Sequence, residues 1–367
     1  MKLIFICGCM EPGKDGVGDY TRRLSGELIR EGHLVSIIAL NDKRVKDIKV
    51  GFQLENQTPI DVMRLPAKLD AKIRFREAEE YITGKDPEWI SLQFVPYSFH
   101  MKGLPFSMPN YLYRFSKKYN WHLMIHEPWV DTIGPLFSLK KLTGILQRRI
   151  LKNIVKKINP TVIQTSNLFY MEILKANGIS SSILNLPGNI PICRGKNLNI
   201  GRELRDLGIE NTKRGDWWIT GTFGRMRKNI DYVSFFNDLL ERSGMHGKKL
   251  AFFSIGEAGI NGQEIFDHLE KTFNGKLLLY QFGSRKPEEI SAFFQILDFG
   301  VASVPIHLLG KSGAYSSMRE HNVKVLIPME KNYKKKKTKS YSYNQILSMK
   351  DQQFSAKKIA KNFISVL

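Results

Sequence analysis

Cysteine is nearly absent from this chain. There are 3 in 367 residues, Cys7, Cys9 and Cys193. That rules out a disulfide framework, and no further ligands stand at zinc spacing, so a reducing cytoplasm is the expected setting. No uninterrupted apolar run reaches the ~18 residues that a spanning helix needs. The opening KLIFICGC is apolar, but Glu11, Lys14 and Asp15 follow at once, so it reads as a buried strand and not as a secretory leader. Acidic residues are also scarce, 35 against 56 basic, for a formal charge of +21. An apolar fraction of 42% excludes disorder. The charge points to acidic partners such as phosphorylated substrates or anionic lipid. Neither zinc-finger spacing nor an RRM-like aromatic motif accompanies it, and no nucleic-acid partner is expected.

What is present is strand–helix alternation, twice over. Lys2–Gly8, His33–Leu40, Ile60–Leu65, Trp89–Val95, His122–His126 and Thr161–Thr165 read as buried strands, with a helix over Tyr20–Glu31. A low-hydrophobicity stretch near residues 194–215 interrupts the pattern. A second series follows, with strands at Trp217–Phe223, Lys249–Ile255, Leu277–Phe282, Phe299–Val304 and Lys324–Ile327. Helices between them are expected near Tyr232–Ser243, Gly262–Thr272 and Pro287–Ile296. This predicts an α/β chain of two doubly wound, Rossmann-like domains. Residues 1–195 form the first, 196–214 a linker and 215–350 the second; a helix over 351–367 is placed back on the first domain. Lys331–Lys339 is read as a solvated basic loop.

Ligands of such sheets bind beyond the carboxyl ends of the strands, and four motifs fall there. In EPGKDGVGD, Gly16 and Gly18 permit close backbone approach, and a helix start favours an anion. Neither the Rossmann fingerprint nor a P-loop is met, so this is a phosphate or sugar loop of another kind. His126, in HEPW, stands at a strand end, where it can donate to a sugar hydroxyl or titrate near neutrality. In GTFGRMRKNID, Gly224 is followed by Arg225, Arg227 and Lys228, cations suited to a diphosphate leaving group. Lys311, Ser312 and Gly313 open a short helix that would cradle a phosphate.

Five passages, in order and spanning nearly the whole chain, resemble family 4 glycosyltransferases. They are GVGDYTRRLSGELIREGHLVSIIAL, HEPW, QTSN…LPGNIP, GTFGRMRKNID and GKSGAYSSMREHNVKVLIP. The resemblance implies a GT-B fold with a cleft between its domains, a nucleotide-diphosphate-sugar donor and retention of anomeric configuration. It places Gly16 and Gly18 near a phosphate of donor or acceptor, and His126 near the transferred sugar. It puts Arg225 and Lys228 on the diphosphate, and Lys311, Ser312 and Gly313 on the donor. Gly283, Ser284 and Arg285 would lie near the base. Where the family carries two glutamates with seven residues between them, Glu320 matches the second, but Ser312 occupies the place of the first. The D-x-D by which other glycosyltransferases hold a metal is missing, so neither a metal nor another cofactor is expected. The activity implied is sugar transfer to a glycan or lipid-linked acceptor in bacterial cell-surface polysaccharide synthesis. The competing readings are a sugar-nucleotide epimerase on the same fold and a catalytically impaired glycan- or nucleotide-binding relative.

One helix stands out by charge. LKKLTGILQRRILKNIVKKI, Leu139–Ile158, has seven basic and no acidic residues. Its apolar residues gather on one side, and Lys141, Arg148, Arg149, Lys152 and Lys156 on the other. Together with Lys68, Lys72, Arg74 and Arg76 it is the candidate contact with an anionic membrane, which would make a cytoplasmic protein peripheral to the inner face of the plasma membrane.

Overall fold

The structure, a computed structural model, describes residues 1–130, 139–193, 198–331 and 354–367. The chain divides into two compact units. One is Met1–Pro187 with Ala356–Leu367, and the other is Gly188–Ser355.

The strands of the first unit are β1 Lys2–Cys7, β2 Leu34–Asp42, β3 Lys49–Glu55, β4 Thr58–Pro66, β5 Trp89–Phe94, β6 Asn120–Ile125, β7 Val162–Thr165 and β8 Ser182–Ile183. They form an eight-stranded sheet in the order β3-β4-β2-β1-β5-β6-β7-β8, parallel throughout except for the β3–β4 hairpin. Its helices are α1 Gly16–Arg30, α2 Ala71–Lys85, α3 Pro96–Phe99, α4 Met108–Ser116, α5 Leu139–Ile158 and α6 Leu168–Lys175. Side chains alternate across a strand, so a run such as Leu3-Ile4-Phe5-Ile6 is buried throughout only if both faces are covered. They are: Ile4 and Ile6 join α2, α4 and α5 in one core, while Leu3 and Phe5 join α1 and the last helix in another.

The second unit holds α7 Leu198–Asp206, β9 Trp217–Phe223, α8 Tyr232–Met245, β10 Lys249–Ile255, α9 Gly259–Phe273 and β11 Leu277–Gln281, then α10 Pro287–Ile296, β12 Phe299–Val301, α11 Gly313–Glu320 and β13 Val325–Leu326. Its five-stranded parallel sheet runs β11-β10-β9-β12-β13. Phe236, Phe252, Phe266 and Phe273 build the core on one face, and Phe253, Phe293 and Phe294 on the other. Finally, α12, Ala356–Ile364, places Ile359, Ala360 and Phe363 in the core of the first unit, with Phe363 against Phe5 at 5.5 Å between ring centroids.

Three expectations are revised. Helix α1 begins at Gly16, not Tyr20, because the Asp15 carboxylate accepts from the Gly18 amide and caps it there. Much of the expected linker 196–214 is α7, whose Ile200 and Leu204 are buried in the second unit. Its low hydrophobicity hid an amphipathic helix in which a few well-spaced apolar residues suffice. Strand β3 went unread because its apolar residues face solvent: Val50 is 63%, Phe52 75% and Leu54 66% exposed. Of the basic loop Lys331–Lys339, only Lys331 is among the described residues.

In each unit the strand order reverses at one place. The chain builds outward from β1 through β2 and then returns to β5; it does the same from β9 through β10 and β11 to β12. The crevices beyond the carboxyl ends of β1/β5 and β9/β12 are therefore where ligands are to be sought.

Candidate functional site

In the second unit, three adjacent strands each end in a glycine with left-handed backbone: Gly224 after β9 (φ +76°), Gly256 after β10 (φ +84°) and Gly283 two residues after β11 (φ +70°). Only glycine takes this conformation without strain. The three turns are joined by backbone bonds. Gly224 N–H donates to Ile255 O (2.9 Å), and Gly256 N–H to Gly283 O (2.8 Å). Gly224 and Gly283 were expected at the site. Gly256 was missed, although it carries the same signal, a glycine directly behind a buried strand.

On the other side of β9, the chain leaves β12 through a 3-10 turn, Ile306–Lys311, into α11. Ser312 caps that helix, its Oγ accepting from Tyr315 N–H at 3.2 Å. The amides of Gly313 and Ala314 have no hydrogen-bond partner among the described residues, and they point out of the positive end of the helix dipole. Asn189, which sequence reasoning missed, stands beside them. Its Oδ1 accepts from Ser317 Oγ (2.9 Å), its N–H donates to the same hydroxyl, and a Cβ on Gly313 would lie 3.4 Å from it. Gly188 permits this, because a Cβ there would meet Ser317 Cα at 2.4 Å. Glu320, half-buried, ends α11 at the far side from these amides.

The cations differ in how far they are committed. Arg225 is exposed and has no ion pair among the described residues. Lys228 is paired with Glu264 of α9, each about half exposed. Arg285, expected near a base, donates from Nε to Phe282 O (2.9 Å) and from Nη2 to Glu203 of α7 (2.9 Å), with Glu289 3.6 Å away. It holds its own turn to α7, while Ser284 beside it is exposed. Lys311 is half-exposed.

In the first unit, the loop after β1 supplies an anion of its own at the place where its glycines suggested a bound one. The amides at the start of α1 already face an anion, the Asp15 carboxylate, which lies against Gly18 N–H (2.8 Å) and Val17 N–H. Asp19 accepts from Gly13 N–H (2.9 Å) and pairs with Arg22. Gly18 is there for packing, since a Cβ would lie 2.3 Å from Cys9 O; Gly16 faces open space. Burial raises the Asp15 pKa, with the amide bonds opposing. A network unforeseen in the sequence fixes the rest of the loop: Arg64 binds Glu11 (2.6 Å) and the buried Asp42 (2.7 Å), and Asp42 accepts from Cys9 Sγ at 3.3 Å.

His126 follows β6 directly and is only 6% exposed. Its Nε2–H donates to Gln93 Oε1 on β5 at 2.9 Å, and the Tyr20 ring of α1 meets it edge-on at 4.9 Å. Burial depresses its pKa to about 3, with the neighbouring His122 adding to the shift. The shift runs away from the expected titration near neutrality, and the Nε2–H that a donor would use is taken by Gln93. Nδ1, which has no hydrogen-bond partner among the described residues, offers a lone pair instead.

Helix α5 is a core helix with a basic outer face. Ile150, Leu151, Ile154 and Ile158 are buried, while Arg149, Lys152 and Lys156 are exposed. Lys157 lies over the Tyr113 ring of α4 at 4.7 Å, and Lys117 approaches the same ring at 5.9 Å. The second basic group is partly withdrawn. Arg74 points inward to Leu69 O, Leu40 O and Asn41 Oδ1, and Arg76 pairs with Glu77 and Glu80. Lys68 and Lys72 stay exposed. Among the described residues, no helix is long and apolar enough to cross a membrane.

No protein-family model matches this chain, and no curated protein sequence does. Solved structures match it over its full length. The catalytic domain of starch synthase IV from Arabidopsis thaliana, bound to ADP and acarbose, gives a TM-score of 0.55 at 11% identity, covering 100% of this chain and 98% of that one. HepE of Anabaena, in complex with UDP and glucose, gives 0.54 at 13% identity, covering 100% and 98%. A Listeria monocytogenes protein assigned as a UDP-N-acetylglucosamine 2-epimerase gives 0.50 at 11% identity, covering 100% and 87%. At such identities the likeness is one of fold, and the fold is GT-B: α/β, with two Rossmann-like units.

Proposed function

We propose that this chain is a retaining glycosyltransferase of the family 4 kind. It would move a sugar from a nucleoside-diphosphate donor to a glycan or lipid-linked acceptor in bacterial cell-surface polysaccharide synthesis. The observation that carries the proposal is the switch point of the second unit. There the free amides of Gly313 and Ala314 and the exposed Arg225 stand at the carboxyl ends of strands that finish in left-handed glycines. Backbone amides at a helix start bind phosphate without a side chain, and the glycines let a ligand approach the backbone closely. ADP bound to the starch synthase and UDP bound to HepE support a nucleotide as ligand.

In this reading the bond to the diphosphate breaks as negative charge grows on it, and Arg225 and the α11 amides offset that charge. Lys228 contributes less, because Glu264 shares its ammonium. These groups take the part that a metal takes elsewhere, which is why we expect no metal requirement. His126 receives a hydroxyl of the sugar or acceptor at Nδ1. The basic face of α5, joined by Lys117 just past α4, holds the first unit to an anionic membrane by charge, since Ile150, Leu151, Ile154 and Ile158 of α5 lie in the core.

A second reading, an impaired relative that binds but does not transfer, is favoured by Ser312. It replaces the first glutamate of the family pair, and its hydroxyl is taken up in capping α11. A thermal-shift panel of nucleotides and sugar nucleotides tests binding, because a ligand of the native state raises Tm by mass action. We expect a nucleoside diphosphate and one cognate sugar nucleotide to shift it; no shift with any of them would overturn both readings. Slow donor hydrolysis, quickened by acceptor, then marks a transferase, whereas binding without turnover marks the relative. Interconversion of the sugar nucleotide without acceptor would mark an epimerase.

A further inference from the structure

The pattern of β3 is inside out. Ile48, Val50, Phe52 and Leu54, at every second position, are 40%, 63%, 75% and 66% exposed, while Gly51, Gln53 and Glu55 between them are half-buried. A solvent-facing strand shows the reverse alternation. On that face Val50 lies opposite Met63, Phe52 opposite Asp61 and Leu54 opposite the exposed Pro59. Helix α2 packs against β2 and β4, leaving the outer strand bare. β3 is moreover the edge of the eight-stranded sheet, so half of its backbone N–H and C=O groups point away from β4. Between Lys49 and Glu55 it carries neither a proline nor a charge to blunt the edge.

We propose that β3 pairs with β3 of a second copy of this chain across a two-fold axis, joining two eight-stranded sheets edge to edge. A strand related to its mate by a two-fold perpendicular to the sheet is antiparallel to it, and the surface must then complement itself. β3 does so in the register that sets Phe52 on the axis. Centred on Phe52, Lys49 faces Glu55 of the partner subunit, Val50 faces Leu54, Gly51 faces Gln53, and Phe52 faces its own counterpart. The Glu55 carboxylate is held by Arg22 of its own copy at 2.9 Å, so the complementarity rests on the apolar residues, which in both copies fall on one face between the two α2 helices. A shift by one residue would set Phe52 against Gly51 or Gln53 and put the apolar residues of the two copies on opposite faces. Opposite charges and aromatic pairs across strands stabilise a ladder; like charges oppose it.

The test is sedimentation velocity of the full chain over a wide concentration range, with Phe52→Lys and Phe52→Glu as variants. Position 52 is a surface site, so far-UV circular dichroism should be unchanged. The wild type should sediment at twice the 42.2 kDa chain mass. Each variant alone should be a monomer, since it sets like charges opposite each other at the axis. An equimolar mixture of the two should restore the dimer, because lysine then faces glutamate. A wild type that stays monomeric throughout overturns the proposal. So does a Phe52→Lys dimer, or a mixture that fails to associate.

Discussion

His126 Nε2 lies 2.9 Å from Gln93 Oε1, and this bond begins a chain that runs one way through the core of the first unit. Gln93 Nε2–H donates to Ser91 Oγ (2.7 Å), and the Ser91 hydroxyl donates to His122 Nδ1 (2.7 Å). His122 Nε2–H donates to Gln164 Oε1 (3.2 Å), and Gln164 Nε2–H to Ser182 Oγ (3.3 Å). Each acceptor fixes the proton of the group before it, so both imidazoles are held neutral as their Nε2–H tautomers. A carboxamide that receives the Nε2 proton of His126 leaves the Nδ1 lone pair as the only group this ring can still offer, and that group accepts.

The buried pair makes stability depend on acid. Burial lowers both histidine pKa values from the ordinary 6.5 to about 3. Above 6.5 neither the folded nor the unfolded state binds these protons, and the fold has its full stability. Between 6.5 and 3 the unfolded chain is protonated while the folded one is not, so stability falls as pH drops. We expect a loss on the order of 1–2 kcal/mol per histidine by pH 5. Urea unfolding from pH 8 to 5 measures it, and Gln93→Leu should lower the whole curve by about 1–3 kcal/mol by leaving His126 Nε2–H unsatisfied. A flat profile in wild-type protein would show that the ring protonates in place.

Arg225→Ala should weaken nucleoside-diphosphate binding more than Lys228→Ala does, because Lys228 is already paired with Glu264. A charge-assisted phosphate contact corresponds to about 1.5–3 kcal/mol, or roughly ten- to a hundredfold in Kd. Calorimetry of the two variants decides the order, and equal, unchanged affinities would move the nucleotide elsewhere. Turnover should also persist in EDTA; loss restored by magnesium or manganese would mean a metal serves the leaving group.

The glycines of the β1 loop should behave oppositely. Gly18→Ala places a methyl 2.3 Å from the Cys9 carbonyl oxygen, and the backbone must move. We expect a loss of about 1–3 kcal/mol. Gly16→Ala, at the first turn of α1 and facing open space, should be neutral or stabilising by up to about 1 kcal/mol. Thermal unfolding of both variants checks this, and equal effects would return the pair to a shared ligand role.

Co-sedimentation with vesicles tests the basic face. Binding to anionic vesicles should be strong at low salt, fall steeply as salt rises, and be absent with neutral lipid. Each exposed cation near such a surface contributes about 1 kcal/mol. Reversing Arg149, Lys152 and Lys156 to glutamate should abolish sedimentation without altering hydrolysis of the soluble donor. Equal partitioning onto both lipids would reduce the charge to composition.

Much of the fold was legible before any coordinates, and the site only partly so. Runs such as LIFIC and LAFFSI identify themselves, because a parallel strand covered on both faces has no polar alternation to confuse it. Gly224 and Ser312–Gly313 were legible for a similar reason: a glycine after a buried strand, or a cap before a helix, is a local necessity. β3 and α7 were misread because their meaning lies in what covers them, which the local pattern does not hold.

The amino-acid order by itself determined where strands and helices fall, that two α/β units exist, and which loops carry glycine and cationic charge. These follow from backbone geometry and hydrophobic periodicity over a few residues. Only the tertiary structure decided what each charge does. Arg285 is bound by Glu203, 82 positions away, Lys228 by Glu264, and His126 by Gln93, 33 positions away. Ion pairs, burial and proton positions depend on distances through space, so the same arginine or histidine that reads as a ligand in the sequence becomes a fastening or an acceptor once its neighbours are in place.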